Sequence, residues 1–161
     1  MHIQPYKSNP QHLAQLVDLI NYCQNTEAHL SIKMAEQSDI FDINSYYQNP
    51  GGQFWIALDK NQVVGSIALL VLNPHTAVLK KFFAYPQYRG QPHHLGRQLY
   101  QQLLTFASQS HITRIVLDTP EDEIRSHYFY EHHGFHQIDG SELQHSYVYP
   151  DRNSRFYELI L

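Results

Sequence analysis

Apolar side chains change their spacing several times along the 161-residue chain, and each change predicts an element. Residues 2–6 make a short strand candidate. Leu13, Leu16, Val17, Ile20 and Cys23 then recur at three- and four-residue intervals, which puts them on one face of a helix starting near Asn9. A weaker helical spacing over residues 33–48 ends at Asn49-Pro50-Gly51-Gly52, residue types that reverse the chain. Beyond this break, residues 54–58 and 63–71 are rich in aromatic and β-branched side chains and flank Asp59-Lys60-Asn61-Gln62, which predicts a hairpin. A third strand over residues 77–85 stops at Pro86. Leu95, Leu99, Leu103, Leu104, Phe106 and Ala107 trace the buried face of another long helix. A strand over 114–118, a short aromatic helix over 121–133 halted by Gly134, and strands over 135–138 and 156–161 complete the series.

The resulting order is β-α-α-β-β-β-α-β-α-β-β. Three antiparallel-looking strands followed by a β-α-β unit predict an α/β fold with a mixed sheet and helices on both faces, in one domain over residues 1–161. Composition narrows the function classes. Eleven basic and 15 acidic side chains give a formal charge of -4, so no broad positive surface exists to neutralise a nucleic-acid backbone. Lys80 and Lys81, or Arg89 and Arg97, are local basic spots able to hold a small anion. Cys23 is the single cysteine, which excludes an intrachain disulfide and a multi-thiolate metal site. No apolar run reaches bilayer length and no secretory leader is recognisable, so the expectation is a soluble, cytoplasmic protein without a membrane partner.

The stretch with the most chemistry runs from a strand into a helix: Lys80-Lys81-Phe82-Phe83-Ala84-Tyr85-Pro86-Gln87-Tyr88-Arg89-Gly90-Gln91-Pro92-His93-His94-Leu95-Gly96-Arg97-Gln98-Leu99. A helix start offers unpaired backbone N–H groups and a partial positive charge, and glycine permits turns that aim those groups at one phosphate. Arg89, Gly90, Gln91, Gly96 and Arg97 are the candidates for such a site. The stretch resembles motif A of the GNAT superfamily of N-acetyltransferases, Arg-Gly-x-Gly-x-Gly/Ala, with about two extra residues that put Pro92-His93-His94 where the middle glycine belongs. Downstream, Phe129-Tyr130-Glu131-His132-His133-Gly134-Phe135 resembles motif B of the same family, and Glu123 stands where many members carry asparagine.

That resemblance implies a GNAT fold and transfer of the acetyl group of acetyl-CoA to a primary amine of a small molecule or peptide. It also implies that Phe83, Ala84 and Tyr85 bind the pantetheine arm through their backbone, that main chain near Ala84 supports the oxyanion, and that Tyr130 protonates the departing thiolate. A phenol of ordinary pKa about 10 stays protonated at neutral pH and can still deliver its proton to a nascent thiolate. His127, Tyr128 and Glu131 are weaker candidates for that proton. Asp118 and Glu27 are possible water-linked bases, although a strand-end turn residue and a surface charge need no further role. The alternative reading is a module of the same fold that binds acyl-CoA without transferring it. GNAT proteins often pair, so a homodimer is compatible with the resemblance.

Other features carry less. Twelve histidines are scattered, and adjacent ones on a helix diverge, so no metal is expected. Cys23 sits on the apolar stripe of its helix and is expected in the core. Lys80 and Lys81 alternate on a strand, and a solvated position is the default for each. The ending over residues 149–161 is similar to the last loop and strand of a bacterial GNAT subset. Acceptor choice would be shaped by residues 28–50 and 140–155, where no motif stands out.

Overall fold

The structure, a computed structural model, describes residues 1–143, 146–148 and 153–161. The first strand, β1 (His2–Pro5), leads to α1 (Pro10–Asn21). Asn9 caps that helix by accepting from the amides of Gln11 and His12, and Pro10 fills its first turn, where no N–H is needed. Leu16, Leu19 and Ile20 are fully buried on its inner face. A π-helical turn, Tyr22–Glu27, extends it.

Residues 33–48 do not form the single helix that their spacing suggests. They fold as 3₁₀ turns at Met34–Glu36 and Ser38–Asp42 and a π-helical turn at Asn44–Gln48. Ile40, Ile43 and Tyr47 do share a buried face, which accounts for the helical signal. The break falls at Gln37, whose backbone leaves helical geometry (φ -131°, ψ 51°) while its side chain turns inward to bond another amide.

Seven strands of the described residues form one sheet in the order β1-β2-β3-β4-β5-β7-β6, with β2 (Gln53–Asp59), β3 (Gln62–Asn73), β4 (Thr76–Ala84), β5 (Arg114–Pro120), β6 (His136–Ile138) and β7 (Ser154–Ile160). Among the described residues only β4 and β5 run parallel; every other neighbouring pair is antiparallel. The β2–β3 hairpin turns on Lys60 and Asn61, both left-handed, as the two-residue turn that matches strand twist requires. Successive β2 residues then face opposite layers: Trp55 and Ala57 pack beneath α2 (Leu95–Gln109), whereas Phe54, Ile56 and Leu58 pack beneath α1. The last helix, α3 (Ile124–His132), sits beside β7 on the α2 side, through Tyr130. Where α2 crosses β3 the approach is close. A Cβ added to Gly65 would lie 2.8 Å from Leu95 Cδ2, 3.1 Å from Leu99 Cδ1 and 3.2 Å from the Phe83 carbonyl oxygen. Among the described residues, no helix is long and apolar enough to cross a membrane.

Candidate active site

Two irregularities in β4 make an opening in the middle of the sheet. Parallel pairing with β5 covers only Thr76–Val78 against Arg114–Val116; beyond that the strands part, and β5 continues in register with β7 alone. On its other edge β4 carries a bulge: Ser66 pairs with Phe83 and Ala68 with Lys80, so β4 spends one extra residue there. Lys81 takes up that residue with a left-handed backbone (φ 53°), and the Ser66 hydroxyl donates to its carbonyl (2.7 Å). Past the bulge, the Tyr85 amide donates to the Val64 carbonyl (3.1 Å), so Gly65–Ala84 is a non-hydrogen-bonded pair. The N–H and C=O of Ala84 therefore point away from β3, into the opening.

A cavity of about 830 Å³ fills this gap and reaches the start of α2. Gln98 donates to the His94 carbonyl (3.2 Å) as the first intrahelical bond, so the amides of Leu95, Gly96 and Arg97 precede the helical ladder, and His94 gives no side-chain cap. Gly90 and His94 are both left-handed, and the His94 amide donates to the Gly90 carbonyl (2.5 Å). The loop thus closes on itself between its two ends, which absorbs the extra residues of the sequence pattern. Gly90, His94, Gly96 and Arg97 line the cavity together with Phe83 and Ala84.

Tyr130 lines the same cavity from α3. It is 7% exposed, is ringed by Phe82, Phe129, Phe135 and Tyr157, and its hydroxyl has no hydrogen-bond partner among the described residues. Burial, and then the nearby Asp118 carboxylate, push its pKa well above that of an ordinary phenol. Asp118, at the parting end of β5, has its own pKa raised by burial, opposed by a hydrogen bond from the Tyr147 hydroxyl (2.8 Å) and by the charges of Lys80 and Lys81.

Several candidate residues have other partners in this structure. The side chain of Arg89 turns away from the helix start: its guanidinium clasps Glu27 at 2.8 Å with each of two nitrogens and donates through Nε to the Ala84 carbonyl (2.9 Å). Glu27 also accepts from Arg125 (3.2 Å), and these bonds hold its pKa below the usual carboxylate range, so it is a poor proton acceptor. Tyr85 does not line the cavity, because its amide is given to Val64 and its carbonyl to the Tyr88 amide (3.0 Å). Gln91 is exposed and also lies outside it. His127 bonds the Pro120 carbonyl (2.9 Å), Glu131 accepts from the Tyr157 hydroxyl (2.8 Å), and Tyr128 is exposed and stacked on His132. Cys23 is buried beside Ala84, and burial raises its pKa to about 11, so the thiol stays protonated.

Lys81 is the residue whose place the alternation argument missed. Its side chain is only 8% exposed and lines the cavity, with Nζ 2.8 Å from Gln37 Oε1 and 3.5 Å from Asp39 Oδ2. Burial lowers its pKa from 10.5 to about 8 against the opposing pull of Asp39. No periodicity would have revealed this, since a bulge resets which side chain faces which layer. Among the described residues, no group of three His, Cys, Asp or Glu side chains is arranged to hold a metal ion. The expected final loop at residues 149–152 lies outside the described residues.

The model of the Acetyltransferase (GNAT) family matches residues 18–135. The chain belongs to the GNAT family. Its fold superimposes on the crystal structure of an acetyltransferase from Streptococcus agalactiae with a TM-score of 0.96 and 63% identity, over 99% of this chain and 98% of that one. A GNAT acetyltransferase from Staphylococcus aureus follows with a TM-score of 0.90 and 31% identity, over 99% of both chains. The N-acetylaspartate synthetase of Xenopus tropicalis is 32% identical over 109 residues, 66% of this chain and 40% of that protein, so the chain spans less than half of this curated relative. In this GNAT member the parted strands, the open helix start and the aromatic segment of α3 all border one cavity.

Proposed function

We propose that the chain is an N-acetyltransferase that moves the acetyl group of acetyl-CoA to a primary amine, with Tyr130 as the acid and Asp118 as the base. One observation carries the reading: the parted ends of β4 and β5, Gly96 and Arg97 at the open start of α2, and Tyr130 all line a single cavity of about 830 Å³. Acetyl-CoA would supply an activated acyl thioester there. The helix-start amides and Gly90 suit its diphosphate, with Arg97 adding a cation at the same mouth. Phe83 and Ala84 offer the strand edge for the pantetheine arm, and Ala84 turns its N–H toward the oxyanion position. Arg89 acts by holding Ala84 and Glu27 in place rather than by touching phosphate.

In this reading Asp118 takes a proton from the acceptor's ammonium, directly or through water, and the neutral amine that results attacks the thioester; burial lifts the Asp118 pKa toward the working range of a base. Tyr130 gives its proton to the departing sulfur. Its raised pKa keeps the phenol protonated throughout the alkaline range in which amines become nucleophilic. The acceptor is a small-molecule or peptide amine. The vertebrate relative is named for making N-acetylaspartate, which adds amino acids to the acceptors worth testing.

The test follows coenzyme thiol release against an amine panel, for the wild type and Tyr130→Phe. Amine-dependent release is expected, with kcat lowered about 100-fold in the variant and coenzyme affinity retained. Coenzyme binding with no amine-dependent release from the wild type would make the chain a binding module instead. Full turnover by Tyr130→Phe at every pH would remove the phenol from the reaction.

A further inference from the structure

The acceptor end of the cavity is walled by a polar cluster that has no part in the chemistry above. Gln24 and Gln37 are 7% and 2% exposed and exchange amide hydrogen bonds of 3.0 and 2.7 Å. Lys81 Nζ joins them through Gln37 and faces Asp39, whose carboxylate also accepts a short hydrogen bond from Tyr47. Among the described residues, these bonds leave one N–H without a partner on each of Lys81, Gln24 and Gln37, while the Tyr47 hydroxyl hydrogen and both glutamine carbonyls are in use. All three of those side chains line the cavity. Donors on a cavity wall take acceptors from water in the free chain, and a ligand that displaces this water must bring acceptors of its own. A carboxylate does so, and Lys81 supplies the matching charge.

The left-handed backbone at Lys81 is unfavourable for a residue with a Cβ, yet it is what sends the ammonium to this wall while the bulge opens β4. Lys81 also lies only three residues before Ala84, about 10 Å at strand rise, so an anchor there reaches only the near part of a small acceptor. Asp118, which lines the same cavity, interacts electrostatically with Lys81 across the opening. A positive and a negative group thus flank the place where the amine must attack.

We propose that Lys81, with the free amide hydrogens of Gln24 and Gln37, binds the carboxylate of a zwitterionic acceptor, an α-amino acid or a close homologue, whose ammonium group faces Asp118. The inference rests on the acetyl-transfer reading and assigns its acceptor class. Asp39 and Tyr47 hold Lys81 in position and do not themselves touch the acceptor.

The experiment compares a panel of α-amino acids with the amines obtained by decarboxylating them, using the full chain and acetyl-CoA. The wild type should prefer the best amino acid over its decarboxylated partner by at least 50-fold in kcat/KM, chiefly through KM. The deaminated acid of that substrate should inhibit competitively against the amine and not against acetyl-CoA. In Lys81→Met the preference should fall at least tenfold and the inhibition should weaken in parallel, with Lys81→Arg restoring part of both. Equal use of amines with and without a carboxylate by the wild type overturns the proposal and leaves acetyl transfer standing; no thiol release with any amine overturns both. The wild-type comparison decides the matter even if Lys81→Met fails to fold.

Discussion

Lys81 shows how a single side chain can be held in an expensive environment and still stay useful. Its burial favours the neutral amine, Asp39 favours the ammonium, and the balance leaves a pKa of about 8 against 10.5 in solvent. Between these two values the unfolded chain holds a proton that the folded one has released, so this group makes folding more favourable as pH rises from 8 to 10.5. Relative to Lys81→Met, the wild type should therefore gain up to about 3 kcal/mol across that window, checked by urea denaturation at a series of pH values. Parallel curves for the two proteins would mean that the ammonium is solvated. Tyr130 and Asp118 are also shifted by burial, but in the direction that keeps each protonated longer, which suits an acid and raises the effective pH of a base.

The helices and strands place these groups through close packing at a few points. Gly65 lets the first turn of α2 lie against β3, with Leu95 and Leu99 directly above it. Gly65→Val should lift that turn, lower stability by about 1–3 kcal/mol, and weaken acetyl-CoA binding at least tenfold, because the amides of residues 95–97 move with the helix. Thermal melts and calorimetric titration read the two effects separately; a destabilised variant with undiminished affinity would place the diphosphate elsewhere. Much of this layout was legible in the chain. The apolar stripe from Leu95 to Ala107, the β-branched hairpin around Lys60-Asn61 and the glycine after α3 each state one local preference strongly, and each formed the expected element. Residues 33–48 were harder because Ile40, Ile43 and Tyr47 keep helical spacing, whereas Gln37 leaves the helix to complete a buried amide pair with Gln24, a partner 13 residues away. Arg89 shows a similar long-range contact. Its sequence neighbours point to a phosphate, while Glu27, distant in sequence, holds the guanidinium in this structure.

Taken together, the sheet works as a clamp whose two halves part in the middle. The β1 to β4 half carries the bulge and the buried cation, the β5 to β7 half carries Asp118, and the helices on either side close the gap. Charge is nearly balanced inside the cavity, where Lys81, Arg89 and Arg97 meet Asp39, Glu27 and Asp118. A formal charge of -4 for the chain therefore says little about the proposed anion site. What matters is where the helix-start amides and Arg97 stand. The most direct test is a calorimetric titration of acetyl-CoA into the wild type and into Gly96→Glu, which sets a carboxylate at the start of α2. The expected result is one-to-one binding by the wild type, weakened at least 30-fold in the variant. Equal affinity in the two proteins, or no binding by the wild type, would contradict the account.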